Sequence, residues 1–99
     1  MVDFENALRV ALKTGKVVIG FNKTKKTIQK GKPKLVIIAS NAPSEISEEI
    51  KYFCKLANVP YYIYNGSGYE LGAVCGKPFI VSVMAIEDPG DSEILSFAR

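Results

Sequence analysis

Histidine is absent from the 99 residues, which removes the commonest general base and metal ligand from the chain's chemistry. Cysteine is scarce. Cys54 and Cys75 stand alone, without CxxC spacing, and read as reduced core residues of a cytosolic protein. Long apolar runs are also missing: residues 35–39 and 80–86 are strand-sized, well short of a membrane span. The opening Met-Val-Asp-Phe-Glu lacks a basic n-region and an apolar h-region, so no secretory signal is expected. The last absence is of one charge. From Asn6 to Ser44 there is no acidic side chain, while Arg9 and eight lysines (Lys13, Lys16, Lys23, Lys25, Lys26, Lys30, Lys32 and Lys34) fall in that stretch.

A net charge of +3 therefore conceals strong polarity along the chain, with eight of the ten acids lying beyond Ser44. A merely solvated face mixes signs, as residues 45–55 do; clustering of one sign on a folded domain is the footprint of a polyanion partner. The chain is 47% hydrophobic and 23% charged, so it can bury a core and is no disordered basic tail. Its length suits one domain over residues 1–99.

Apolar periodicity predicts a helix after Asp3 as N-cap, through Phe4, Ala7, Leu8, Ala11 and Leu12, with Gly15 as its stop. Residues 16–21 read as a short buried strand. Asn22 is placed to cap a second helix running to about Lys30, and residues 35–39 form a second buried strand. Asn41-Ala42-Pro43-Ser44 turns into a third helix with Ile46, Ile50, Phe53, Cys54 and Ala57 as its stripe. Residues 61–64 form a third strand. Ser67-Gly68-Tyr69-Glu70 has the capping-box form and opens a short helix ending at Gly76, and residues 80–86 form a fourth strand. Helices alternating with short apolar strands predict an α/β fold, a three-layer α/β/α sandwich.

The second helix is unusual. Ile28 is its only large apolar residue, Thr24 and Thr27 add little, and its first turn carries Lys23, Lys25 and Lys26. The helix dipole disfavours cations there, and a bound phosphate would satisfy the free N–H groups and the lysines together. Lysines kept for solubility are the competing explanation. Chemistry is thin elsewhere. Gly66-Ser67-Gly68 lacks the Gly-Lys-Ser/Thr ending of a phosphate loop, and the pairs Glu48-Glu49 and Asp88-Asp91 fall on a helix surface and in a turn.

Three turns, at residues 20–23, 41–43 and 65–70, each join a strand to the following helix. If the first three strands are parallel, all three emerge at one carboxyl edge, where α/β domains bind ligands. Asn22 and Asn41 suit base-edge reading, because an amide offers a donor and an acceptor, and they suit helix capping equally.

Gly20-Phe21-Asn22-Lys23, the run from Lys34 to Pro43, Glu70-Leu71-Gly72 and Gly76-Lys77-Pro78-Phe79 fall together in register. In these motifs the chain resembles the kink-turn RNA-binding ribosomal protein superfamily, and within it the family of the archaeal and eukaryal large-subunit protein conventionally numbered thirty. The resemblance runs from Asp3 through Gly90. It implies a four-stranded mixed sheet in order 1-4-2-3 with strand 4 antiparallel, and a structural, non-enzymatic role on the cytoplasmic ribosome, without a cofactor or a membrane. The implied partners are ribosomal RNA containing a kink-turn, other ribosomal components and possible binding to its own mRNA, with a monomer when free.

The resemblance also implies a site, an RNA surface at Gly20, Phe21, Asn22, Lys23, Lys26, Asn41, Gly66, Glu70, Phe79, Ile80 and Val81. Gly20 would let the backbone approach sheared G·A pairs, Asn22 and Lys23 would contact base edges, and Lys26 would meet phosphate. Asn41 would contribute from the second turn and Glu70 would order the third. Phe79-Ile80-Val81 would pack on the base that the kink flips out. Lys23 is open to base or phosphate contact, and Phe79 to a place in the core. Two alternatives accompany this reading: the same fold in a non-ribosomal ribonucleoprotein or as an mRNA-binding regulator, and a small-molecule enzyme with a closed pocket.

Overall fold

The computed structural model describes residues 3–31 and 33–97; Lys32 of the basic run and Met1 and Val2 of the opening segment lie outside them. In chain order the elements are α1 (Phe4–Thr14), β1 (Lys16–Ile19), α2 (Phe21–Lys30), β2 (Leu35–Ala39), α3 (Ser44–Ala57), β3 (Tyr61–Tyr64), α4 (Gly68–Val74) and β4 (Val83–Asp88). A 3₁₀ turn at Ile94–Phe97 follows.

The strands form one sheet in the order β1-β4-β2-β3. β4 runs antiparallel to both of its neighbours, and β2 and β3 are parallel, with Val36 opposite Tyr61 and Ala39 opposite Tyr64. β1, β2 and β3 therefore point the same way, as expected. The sheet is covered on both faces. Leu35, Ile37, Met84 and Ile86 pack with Phe4, Leu8, Ala11, Leu71 and Ile94, on the side of α1, α4 and the 3₁₀ turn. Val36, Ile38, Val83 and Ala85 pack with Ile28, Ile50 and Cys54, on the side of α2 and α3. Two-sided burial is why β2 reads Leu-Val-Ile-Ile-Ala without alternation.

Several local expectations are corrected. β1 is a half-exposed edge strand ending at Ile19, and Phe21 belongs to α2. β4 begins at Val83 rather than Ile80, so residues 79–82 are loop. α4 ends at Val74, with Gly76 in the turn beyond it. Asp3 occupies the N-cap of α1 but makes no side-chain cap bond. Neither asparagine caps a helix: Gly20 precedes α2 and Pro43 precedes α3. Thr24 is fully buried against the sheet, so α2 has a wider contact with the core than Ile28 alone supplies.

On the α1 side of β3, Tyr62 stacks on Phe4 at 4.4 Å between ring centroids. Tyr64 donates a hydrogen bond of 2.8 Å to Glu5 Oε2. These contacts tie α1 to the edge strand and cover Tyr62 and Tyr64.

Candidate nucleic-acid interface

Because β1, β2 and β3 share one direction, the turns that follow them meet at one edge of the sheet. β4 runs the other way, so the loop leading into it, residues 79–82, arrives at that same edge. The site therefore assembles four segments from the whole length of the chain.

The first segment is held open by glycine. Gly20 has φ 109° and ψ 156°, a backbone conformation closed to L side chains, and nothing lies within 4 Å of where a Cβ would stand. Its N–H donates to Val83 O (3.0 Å) and its carbonyl accepts from Thr24 N–H (3.0 Å), fixing the start of α2 on the start of β4. The helix start has no side-chain cap and no acid in its first turn. The first N–H groups of a helix lack intrahelical acceptors, so they are free to meet an anion. Asn22, Lys23 and Lys26 are exposed beside them.

Phe21 and Lys25 turn the other way. Phe21 is half-buried in the cluster between sheet and α3, which makes it a packing residue rather than part of the open surface. Lys25 Nζ lies 2.7 Å from Glu49 Oε2 and over the rings of Phe53 (5.3 Å) and Phe21 (5.7 Å). Ion pair and cation–π contacts together fasten α2 to α3.

The second and third turns are tied to each other. Asn41 Oδ1 accepts from Gly68 N–H at 2.8 Å, across the gap between β2 and the start of α4. That bond satisfies a donor at the α4 N-terminus and leaves the Asn41 NH₂ for other partners. Ser40 N–H donates to Tyr64 O and Gly66 O, and Ser40 Oγ donates to Gly66 O (3.0 Å). Ser67 and Glu70 form the expected capping box: Glu70 N–H donates to Ser67 Oγ (3.1 Å), and Ser67 N–H donates to Glu70 Oε1 (2.9 Å).

The fourth segment divides by residue. Phe79 is 53% exposed and Ile80 66%, whereas Val81 is 1% exposed and donates its N–H to Gly68 O. Phe79 therefore does not join the core. Val81 does, and its side chain cannot pack on a ligand. The loop lies so close to α4 that a Cβ on Gly72 would stand 2.1 Å from Phe79 O. Between this loop and β1 is a shallow depression of about 290 Å³, lined by Val17, Val18, Ile19, Lys23, Lys77 and Phe79. Lys77 was not among the residues expected from sequence; its position two residues before Phe79 in the Gly-Lys-Pro-Phe motif was the available signal.

The edge is thus an open, hydrogen-bonded surface on which amide groups, free N–H donors and lysines adjoin two exposed apolar side chains. Neither cysteine is activated. Burial pushes both thiols up to about 11, with Lys77 lowering Cys75 by a lesser amount. Among the described residues, no group of His, Cys, Asp and Glu is arranged to hold a metal ion.

The family described as "Ribosomal protein L7Ae/L30e/S12e/Gadd45 family" matches residues 3–96. The chain is 53% identical over 95 residues to the large ribosomal subunit protein eL30 of Pyrobaculum neutrophilum, covering 96% of this chain and 94% of that one. It is 52% identical over 98 residues to the protein of the same name from Methanospirillum hungatei (99% and 100% covered). With that of Methanopyrus kandleri it shares 46% over 99 residues (100% and 91% covered).

Proposed function

The chain belongs to the ribosomal protein L7Ae/L30e/S12e/Gadd45 family, and on that premise we propose that it is a structural constituent of the large ribosomal subunit that binds a kink-turn in ribosomal RNA. The role is structural rather than enzymatic, and the whole chain acts as one RNA-binding domain, monomeric when free, within ribosomes of the cytoplasm.

The observation that carries the proposal is the uncapped start of α2, with Gly20 at positive φ, no first-turn acid, and Asn22 and Lys23 exposed beside it. RNA is read where its bases are splayed out of the duplex, by hydrogen bonds to base edges and by stacking on apolar or aromatic groups. In this reading Asn22 contacts base edges, while Lys23 and Lys26 meet phosphate. Gly20 and Gly66 allow close backbone approach. Asn41 and Glu70 hold the neighbouring turns in place. Phe79 and Ile80 pack on an extruded base, a contact of about 1–3 kcal/mol for a stacked base. The open edge requires little rearrangement on binding, which favours selectivity through preformed fit.

Gradient sedimentation of an archaeal lysate containing the tagged chain tests the assignment. The chain is expected with large-subunit particles at stoichiometric level. Recovery only in lighter ribonucleoprotein fractions, or on its own mRNA alone, would establish the non-ribosomal alternative instead.

A further inference from the structure

Away from the turn edge, α2 and α3 leave an apolar hollow between them. Both helices start at the turn edge and run toward the opposite end of the sheet. Near that end Ile28, Gln29, Phe53, Leu56 and Ala57 line an open depression of about 300 Å³. Beside it stand two large apolar side chains that the core does not take up. Leu56 is 66% exposed and Tyr52 59%, with the Tyr52 ring edge-on to Phe53 at 5.7 Å. At about 100° per residue, positions 45, 48, 49, 52 and 56 fall within one strip about 100° wide on the outer side of α3. The strip is acidic in its first half (Glu45, Glu48, Glu49) and apolar in its second (Tyr52, Leu56). Glu45 and Glu48 are exposed and without an ion-pair partner among the described residues, while Glu49 holds Lys25. By the same angles Lys51 and Lys55 lie on the flank turned away from α2.

We propose that this strip and hollow dock a basic amphipathic helix of a neighbouring protein in the ribosomal particle. A Leu, Ile or Phe of that helix enters the hollow beside Gln29 and Leu56, and its Lys or Arg side chains reach Glu45 and Glu48. The spacing is set by α3, which rises about 12 Å from Glu48 to Leu56, so the basic residues stand about two turns from the anchor. An exposed apolar patch rimmed by polar groups is the mark of a protein-binding surface, and a helix laid in a groove is held through such anchors. The acids add charge complementarity and orientation. RNA is disfavoured here, because unpaired carboxylates repel phosphate and Lys25, the lysine of α2 on this side, is already neutralised by Glu49. A second copy also fits poorly. Two antiparallel α3 strips in full overlap would set Leu56 against Glu45 and Tyr52 against Glu49, apolar groups on carboxylates.

The docking surface rests on the proposed ribosomal role for its partner and can fail separately from it. The photo-reactive residue p-benzoylphenylalanine is placed at exposed position 56 of the tagged full chain, and adducts are identified in gradient-purified large-subunit particles. The adduct is expected on a protein. Mass spectrometry of the joined peptide is expected to show an apolar anchor with Lys or Arg about two turns away. Glu45→Gln combined with Glu48→Gln is expected to lower the adduct yield severalfold. Glu93→Gln, which removes an exposed acid on the α1 side of the sheet, is expected to leave it unchanged. An adduct to RNA, to a second copy or to a segment without basic residues would overturn the proposal, as would no adduct or equal yields from all three chains. Adducts are read in whichever gradient fraction holds the chain. Its absence from large-subunit particles would therefore overturn the proposed function while the docking surface is still tested.

Discussion

Thr24 provides a test of the packing beneath the proposed RNA edge. It is fully buried, and among the described residues its Oγ1 is the buried side-chain polar atom with no hydrogen-bond partner. Thr24→Val replaces that hydroxyl with a methyl group of nearly the same shape. Both residues are β-branched, so the helix propensity of α2 is little changed. An unsatisfied buried polar group costs about 1–3 kcal/mol, and burying an extra methyl contributes about 0.8 kcal/mol. Stabilisation of at least about 1 kcal/mol is expected, or roughly 4–8 °C in Tm for a domain of this size. Urea and thermal unfolding followed by circular dichroism would measure it, with RNA affinity as the control, since Thr24 faces the sheet. A variant less stable than the parent would refute the reasoning. It would mean that the hydroxyl is satisfied, for instance by the carbonyl one turn back at Gly20.

Three further outcomes follow from the same contacts. Gly72→Ala places a Cβ against Phe79 O; despite Ala's better helix propensity, a loss of about 1–3 kcal/mol is expected from overpacking. Unchanged or raised stability in a melt would show that the Phe79 loop yields freely. Tyr64 is pushed up to about 12 by burial, then by its bond to Glu5 and by the charges of Glu5 and Glu70, against Arg9. Its folded pKa thus lies above the unfolded value near 10, so its contribution is complete below pH 10 and lost as pH rises from 10 to 12. The urea midpoint should fall less over that window in Tyr64→Phe than in the parent, and identical declines would contradict the assignment. Cys54 and Cys75, both raised to about 11, should alkylate slowly at pH 8 in the native protein and rapidly in denaturant; a fast native phase would show an accessible thiolate.

Much of the fold was legible because periodicity and burial agree in it. α1 and α3 carry apolar stripes at helical spacing, β2 is a β-branched run too short for a helix, and Ser67-Gly68-Tyr69-Glu70 forms its capping box as written. The family motifs supplied the strand order. What eluded sequence reasoning has local causes. Asparagine suits a cap, an amide bridge and a ligand contact alike, so Asn41's bond to Gly68, 27 residues away, had no local signature. Residues 79–86 are almost uniformly apolar, and periodicity cannot locate the start of a strand within such a run. Hence Phe79 and Ile80, which are exposed, could not be separated from Val81, which is buried. Charge likewise marked α2 without assigning its sides, although the helical angle distinguishes Lys25 from its neighbours.

Selective recognition of a kinked RNA by the first turn is the central claim. The most direct measurement is binding at fixed moderate salt to a kink-turn hairpin and to a control whose G·A pairs are replaced by Watson–Crick pairs, for the parent and for Asn22→Ala. Strong preference for the kinked RNA, lost in the variant while the melting temperature is kept, is the expected result. Equal, salt-sensitive binding to both RNAs would contradict the account and reduce the lysines to a general polyanion patch.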